Sequence, residues 1–272
     1  MKIVRILITL IALHFFAGVY SQQIEILYDS SYPRQVGGSF PLGIKYTDKK
    51  GKTRLTRGFL GGKQYWLYYY INVLGGTFNK GMVNITDNPA TITNHQIIVI
   101  AQLASDPRIC SQISIPLTYY GLTIADYTPS SDDYINGLHG DILDVYISKF
   151  YDPIYKGELL KVKIYSSSRN NELEYYVHPT NGQIRIIANG GDGQNGKDKV
   201  NGESADDGGN GGNGGSVTVY ILENARDCLD KIEILNFGGS GGKGGRSDNS
   251  SGRNGLNGLN GPTPRIQIVK NF

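Results

Sequence analysis

The chain lacks most of the features by which a sequence announces a chemistry. Two cysteines in 272 residues, Cys110 and Cys228, are too few for a disulfide framework, and no Cys-x-x-Cys or His-x-x-x-His spacing gathers metal ligands. Outside the N-terminal segment the histidines His95, His139 and His178 each stand alone. The Gly-x-Ser-x-Gly elbow of serine hydrolases is missing, as is the Gly-x-x-x-x-Gly-Lys-Ser/Thr phosphate loop. No catalytic residue, metal or cofactor is therefore expected, and the chain reads as non-enzymatic. The carboxylates Asp132-Asp133 and Asp141/Asp144 leave one alternative open, a hydrolase of envelope polysaccharide, because paired glycosidase acids converge only in space.

Long apolar runs are also scarce. The one clear run, Ile6 to Phe16, follows Lys2 and Arg5 and gives way to small or polar residues up to Ser21. That is the form of a secretory signal peptide over residues 1–21, bacterial in style, with cleavage expected near Ser21-Gln22. No later run approaches the ~20 apolar residues of a membrane-spanning helix, and no cysteine beside the cleavage site invites a lipid. The expectation is an exported protein of the periplasm, cell surface or medium, with neither span nor lipid anchor. A one-sided charge is missing as well. Without Lys2 and Arg5 the chain keeps 25 basic residues against 24 acidic, so a nucleic-acid partner has no electrostatic footing.

Helical periodicity is absent, and period-two alternation takes its place. Runs of this kind fill Phe40 to Thr47, Tyr65 to Leu74, Met82 to Thr86, Gln96 to Leu103, Ile113 to Tyr119, Ile142 to Ile147, Leu159 to Tyr165, Leu173 to Val177 and Gln183 to Ala188. Turns at Asp48-Lys49-Lys50-Gly51 and Asn181-Gly182 predict antiparallel hairpins. The fold class is all-β, and a division near Asp106-Pro107 gives two sandwich segments, 22–106 and 107–183. Their pattern resembles bacterial Ig-like domains. In Tyr65 to Leu74 the alternation places Leu67, Tyr69, Ile71 and Val73 on one face and Trp66, Tyr68 and Tyr70 on the other. If the second face is uncovered, it is an aromatic strip for a glycan or a protein partner.

Residues 184–272 hold the most distinctive pattern. From Gly190 to Gly261 lie 21 of the 37 glycines, and they keep a three-residue register through Gly190, Gly193, Gly208, Gly211 and Gly214. The register returns at Gly238, Gly241 and Gly244, then at Gly255, Gly258 and Gly261. Three residues per turn belongs to a polyproline-II-type helix, whose backbone groups find no partner inside the helix. The region is duplicated. Ile184 to Gly193 matches Ile232 to Gly241 at an offset of 48, while Gly208, Gly211, Gly214, Val219 and Ile221 match Gly255, Gly258, Gly261, Ile266 and Ile268 at 47. Each copy reads strand, tract, turn, tract, strand, with strands expected at Ile184 to Ala188, Val217 to Leu222, Lys231 to Asn236 and Arg265 to Lys270. The last tract shows a glycine ridge, an asparagine ridge of Asn254, Asn257 and Asn260, and an apolar ridge of Leu256 and Leu259.

Collagen fits poorly, since proline within or beside the register is limited to Pro262. The calcium-binding nonapeptide fails at Asn195 and Lys197. A solvated Gly/Asn/Ser linker is the plain competitor. Over residues 190–261 the chain resembles polyglycine-II bundle proteins, such as glycine-rich antifreeze proteins and the tail-tip adhesins of some bacteriophages. The resemblance implies a rigid, collagen-like structural or adhesive module, with Asn210, Asn213, Asn254, Asn257 and Asn260 facing a glycan, an envelope protein or another copy of the chain. A second reading is an accessory subunit of an envelope machine docking through Trp66, Tyr68 and Tyr70. Export to an oxidising compartment also makes a Cys110–Cys228 bridge an expectation to test.

Overall fold

The structure, a computed structural model, describes residues 21–130, 135–200 and 203–272. The signal segment thus lies outside the described residues, apart from Ser21. The chain is mostly β and divides into two compact units. One takes residues up to Arg34, Gly38–Thr86 and Thr91–Leu117, and the other takes Gln35–Gly37, Asp87–Ala90 and Thr118–Phe272. The division expected at Asp106-Pro107 falls instead beside Leu117. The reason is local: Asp106 and Pro107 open a strand, β8 below, that pairs along its length with the strand before it.

Unit 1 is antiparallel in all its named strand pairs. Strands β1 (Gln23–Tyr28), β2 (Ser39–Thr47), β3 (Thr53–Leu55), β5 (Gly76–Asn79) and β6 (Met82–Ile85) form one sheet, ordered β1-β2-β6-β5 with β3 on β2. Strands β4 (Tyr69–Leu74), β7 (Gln96–Leu103) and β8 (Asp106–Pro116) form the other. The Asp48 turn is the expected β2–β3 hairpin, closed by Asp48 N–H on the Lys52 carbonyl at 3.1 Å. Alternation on β7 buries Ile97, Val99, Ala101 and Leu103, and a fully buried Ile, Val or Leu side chain contributes roughly 1.5–3 kcal/mol.

Unit 2 breaks the antiparallel expectation. Strands β9 (Gly121–Asp126), β10 (Ile142–Asp152), β11 (Gly157–Ser166), β12 (Asn171–Val177), β13 (Gly182–Ile187), β14 (Ser216–Leu222), β15 (Ile232–Leu235) and β16 (Arg265–Val269) make two sheets, β12-β11-β10-β14-β16 and β15-β13-β9. Pairing is antiparallel only along β10–β11–β12. The pairs β10–β14, β14–β16, β13–β15 and β13–β9 are parallel. Asn181-Gly182 is accordingly no hairpin. His178 Nδ1 accepts from Thr180 and Asn181 N–H, and the chain crosses there from one sheet to the other. Both sheets feed one core, with Val145, Val162, Ile164, Ile184, Ile186, Val219 and Ile221 at or below 1% exposure. On β11 the lysines between the core residues face out and pair across the strand, Lys161 with Glu174 and Lys163 with Glu172.

Parallel pairing follows from the duplication. The β13–β15 register joins Ile184 to Ile232 and Ile186 to Ile234, and the β14–β16 register joins Val219 to Ile266 and Ile221 to Ile268. The two copies therefore stack as successive rungs, each running from one sheet to the other through its tracts. A third rung precedes them. Strand β9 pairs β13 and β10 pairs β14 in the same parallel sense, and the connection between them carries Asn136-Gly137-Leu138-His139-Gly140, a short piece with the same triplet spacing.

Candidate functional site

The tracts are labelled here A1 (190–198) and B1 (206–215) in the first copy, A2 (238–246) and B2 (252–261) in the second, and B0 (135–141) in the leading rung. Their backbone groups meet the accounting demanded of an extended helix without internal bonds. Successive rungs bond tract to tract at every third residue. From A1 to A2, Gly190, Gly193 and Gly196 N–H donate to Phe237, Ser240 and Lys243 carbonyls at 2.7–2.9 Å. From B1 to B2, Gly208, Gly211 and Gly214 donate to Arg253, Leu256 and Leu259 at 2.8 Å. Gly137 and Gly140 of B0 donate in the same way to Asn210 and Asn213 at 2.7 Å.

Cross-bonds tie the two layers. Gly209 and Gly212 of B1 donate to Gln194 and Gly191 of A1, Gly239 and Gly242 of A2 donate to Gly212 and Gly209 of B1, and Gly255 and Gly258 of B2 donate to Gly242 and Gly239 of A2. Tract B1 thus bonds to all four of its neighbours, B0, A1, A2 and B2. Glycine is obligatory wherever backbones meet. A Cβ at Gly190, Gly193, Gly211, Gly214, Gly238, Gly241, Gly244 or Gly258 would come well inside 3.0 Å of a neighbouring carbonyl oxygen, a separation real Cβ atoms do not show.

Side chains add a ladder on the outside. Asn189, Asp192, Asn195 and Asp198 accept from Phe237, Ser240, Lys243 and Arg246 N–H at 2.6–2.8 Å, 48 residues on. On the other layer Asp207, Asn210 and Asn213 accept from Arg253, Leu256 and Leu259 N–H at 2.7–2.9 Å, 46 residues on. One rung earlier, Asn136 Oδ1 and His139 Nδ1 accept from Asn210 and Asn213 N–H. The Arg253 amide, and after it the Arg253 guanidinium, hold the Asp207 carboxyl below its ordinary value.

The tract register corrects the sequence alignment by one residue. Gly255, Gly258 and Gly261 stand against Gly209, Gly212 and Gly215, not Gly208, Gly211 and Gly214. The places of Gly208, Gly211 and Gly214 are taken in B2 by Asn254, Asn257 and Asn260. Their Oδ1 atoms accept from Gly244, Gly241 and Gly238 N–H at 2.9–3.1 Å, where A2 would otherwise need the carbonyls of a further rung. They are caps on the stack. Asn210, Asn213, Asn254, Asn257 and Asn260 are all exposed. Their amide oxygens are engaged within the chain, and no described residue accepts from their Nδ2 groups, which leaves rows of donors. Leu256 and Leu259 are 74% and 73% exposed.

The aromatic strip is rearranged. Trp66–Tyr68 form a 3-10 turn before β4 starts at Tyr69, so alternation does not run through them. Trp66 donates Nε1–H to the Arg57 carbonyl at 3.0 Å and meets Phe78 edge-on at 4.9 Å. Leu67, expected inside, is 72% exposed. Tyr68 and Tyr70 are exposed, and Tyr69 is buried. Both cysteines are free thiols, Cys110 exposed and Cys228 buried, so the bridge that export would have allowed is absent. Asp141 is buried and accepts from Ile142 N–H, Ser168 N–H, Ser168 Oγ and Ser166 Oγ. That pins β10 to the turn after β11. Asp132 and Asp133 lie outside the described residues. No three His, Cys, Asp or Glu side chains gather as metal ligands among the described residues, and no helix among them is long and apolar enough to cross a membrane. Compared with known protein families, curated proteins and solved structures, the chain has no match.

Proposed function

We propose that this is an exported, non-enzymatic structural or adhesive protein of the cell surface or envelope, in which residues 190–261 form a polyglycine-II bundle carried on β-sandwich domains. The observation that carries the reading is the bonding of every tract to its neighbours. A linker would leave those amides to water, whereas this arrangement makes a stiff object whose outer side chains are fixed in place. With a rise of about 3.1 Å per residue, each ladder repeats roughly every 9 Å. Rows of carboxamide N–H donors at that repeat suit the hydroxyl and ring oxygens of a glycan, or the carbonyls of an envelope protein or of another copy.

Export is supported by the charge and apolar pattern of residues 1–21. The test is binding of the full chain, lacking residues 1–21, to a panel of surface polysaccharides and to itself, with Asn254, Asn257 and Asn260 changed together to alanine. The reading expects one of these interactions to be present and to weaken in the triple variant. Absence of binding to glycans, to envelope extracts and to itself would overturn it.

A further inference from the structure

The stack of rungs in unit 2 has unlike ends. On the leading side the larger sheet does not stop at its first rung. Strand β11 pairs β10 from Leu143 to Asp152, and β12 follows, its edge carrying Glu172 and Glu174 in ion pairs with Lys163 and Lys161. The smaller sheet stops at β9, where Gln35 Nε2–H donates to the Leu122 carbonyl at 2.6 Å. On the trailing side both sheets stop with the second copy, at β15 and β16.

Strand β16 pairs β14 on one side and no described strand on the other, so the N–H and C=O groups that do not face β14 form an open row. Edges are usually blunted by charge, proline or a bulge. Arg265–Val269 has no proline, an unbroken register and no charge after Arg265. Ile266 and Ile268 stand beside Val219 and Ile221 on the core side of the sheet, yet they are 55% and 43% exposed. The core is thus open to water along this edge, where the last repeat of a stacked fold ordinarily presents a polar cap. Asn254, Asn257 and Asn260 cap the tracts, and nothing equivalent caps the strands. The residues after β16 leave the edge clear. Phe272 meets Tyr146 of β10 edge-on at 5.4 Å, and Tyr146 stacks on Tyr220 of β14 at 5.0 Å, so this segment crosses back over the outer face of the sheet.

We infer that β16 pairs antiparallel with β16 of a second copy of the chain, across a two-fold axis at Gln267. The occupant follows from the two ends. A copy adding head-to-tail would need the place beside β10, which β11 fills, and the β12 edge meets any arriving strand with Glu172 and Glu174. The trailing edge matches itself. With Gln267 opposite Gln267, Ile266 lies opposite Ile268 on the core side and Arg265 lies opposite Val269 on the outer side, so apolar meets apolar and no like charges oppose. Such a joint is isologous and closes at two copies, whereas a head-to-tail joint would grow a filament. Antiparallel pairing sends the tracts of the two copies away from the joint in opposite directions. Asn254, Asn257 and Asn260 therefore stay outside it, and the inference is independent of the tract surface.

The test is sedimentation of the full chain, lacking residues 1–21, over a concentration series under reducing conditions, which keep the exposed Cys110 from linking copies. A monomer–dimer equilibrium with no larger species is expected. Ile266→Lys and Ile268→Lys change exposed positions, so each should keep the parent's circular dichroism and lose about tenfold or more in association, because a lysine would be buried against isoleucine. Gln267→Glu and Gln267→Lys each set like charges opposite one another and should lose about threefold. An equimolar mixture of those two variants should regain the association, which only self-pairing at residue 267 explains. A chain that stays monomeric to millimolar concentration would overturn the inference, leaving the edge to a different protein; glycan binding by that monomer would still leave the proposed function standing. Growth beyond the dimer, parent-like association of Ile268→Lys, or no recovery on mixing would each overturn it. So would a dimer lost when Asn254, Asn257 and Asn260 are changed together to alanine, since that result places self-association on the tracts.

Discussion

Tracts B1 and B2 share a three-residue period and sit on successive rungs, yet they differ in what each ridge must do. B1 has four neighbouring tracts and is glycine at both ridges where another backbone arrives, Gly208, Gly211 and Gly214 toward A2 and Gly209, Gly212 and Gly215 toward B0. B2 has B1 behind it and no further rung ahead among the described residues. It keeps glycine only toward B1, at Gly255, Gly258 and Gly261, and carries asparagine caps and exposed leucines elsewhere. The period comes from the helix and the residue comes from the neighbour. The same lesson appears in the strands. Ile221 of β14 is fully buried, and its register partner Ile268 of β16, at the sheet edge, is 43% exposed.

Substitutions at matched positions sharpen this contrast. The largest effect is expected at Gly211→Val, whose side chain would enter the backbone of A2. A loss of more than about 4 kcal/mol, or failure of unit 2 to fold, is expected in denaturant unfolding. Gly258→Val, facing B1, should be as severe. Asn257→Val occupies the position in B2 equivalent to Gly211 and should lose only a cap, about 1 kcal/mol. Equal damage at positions 211 and 257 would break the comparison. Next come the paired isoleucines: Ile221→Ala should cost about 2–5 kcal/mol, and Ile268→Ala under about 1 kcal/mol, because most of the difference is cavity formation. Tyr69→Phe, which removes a hydroxyl buried without a partner, should be stabilising by about 1 kcal/mol, the one gain in the set.

The smallest effect concerns acid. The Asp207 carboxyl is held below its ordinary value by the Arg253 amide and guanidinium, so its contribution is present above the unfolded pKa near 3.8 and is lost as pH falls through the lower folded value. The group is solvent-exposed and the effect is correspondingly slight. Asp207→Asn should flatten the acid end of the stability profile below about pH 4, seen in thermal melts of the variant and the parent.

Much of this organisation was legible in the sequence. Alternation located most strands, and matched flanks such as Ile184 to Ile187 against Ile232 to Leu235 revealed two rungs. Three things were not legible, each for a physical reason. The leading rung was hidden because B0 has few glycines and uses Leu138 and His139 where B1 has Gly212 and Asn213, since only a backbone-facing position demands glycine. Parallel pairing was hidden because alternation reports which face is buried and not strand direction. The unit 1 pocket lined by Arg54, Lys63 and Gln64 was hidden because these residues form no motif and meet only through the fold of the loop after β3. At Trp66–Tyr68 alternation misled, since a 3-10 turn breaks the period and puts Leu67 outside.

Amide hydrogen exchange on the full chain lacking residues 1–21 bears most directly on the central claim, that triplet-spaced glycines lock neighbouring tracts together. The amides of Gly208, Gly211, Gly214, Gly239 and Gly242 should exchange with the slow kinetics of the core strands. Those of Asn254, Asn257 and Asn260, which face no further rung, should exchange fast. Exchange of all eight at the rate of an unstructured glycine-rich peptide would contradict the account.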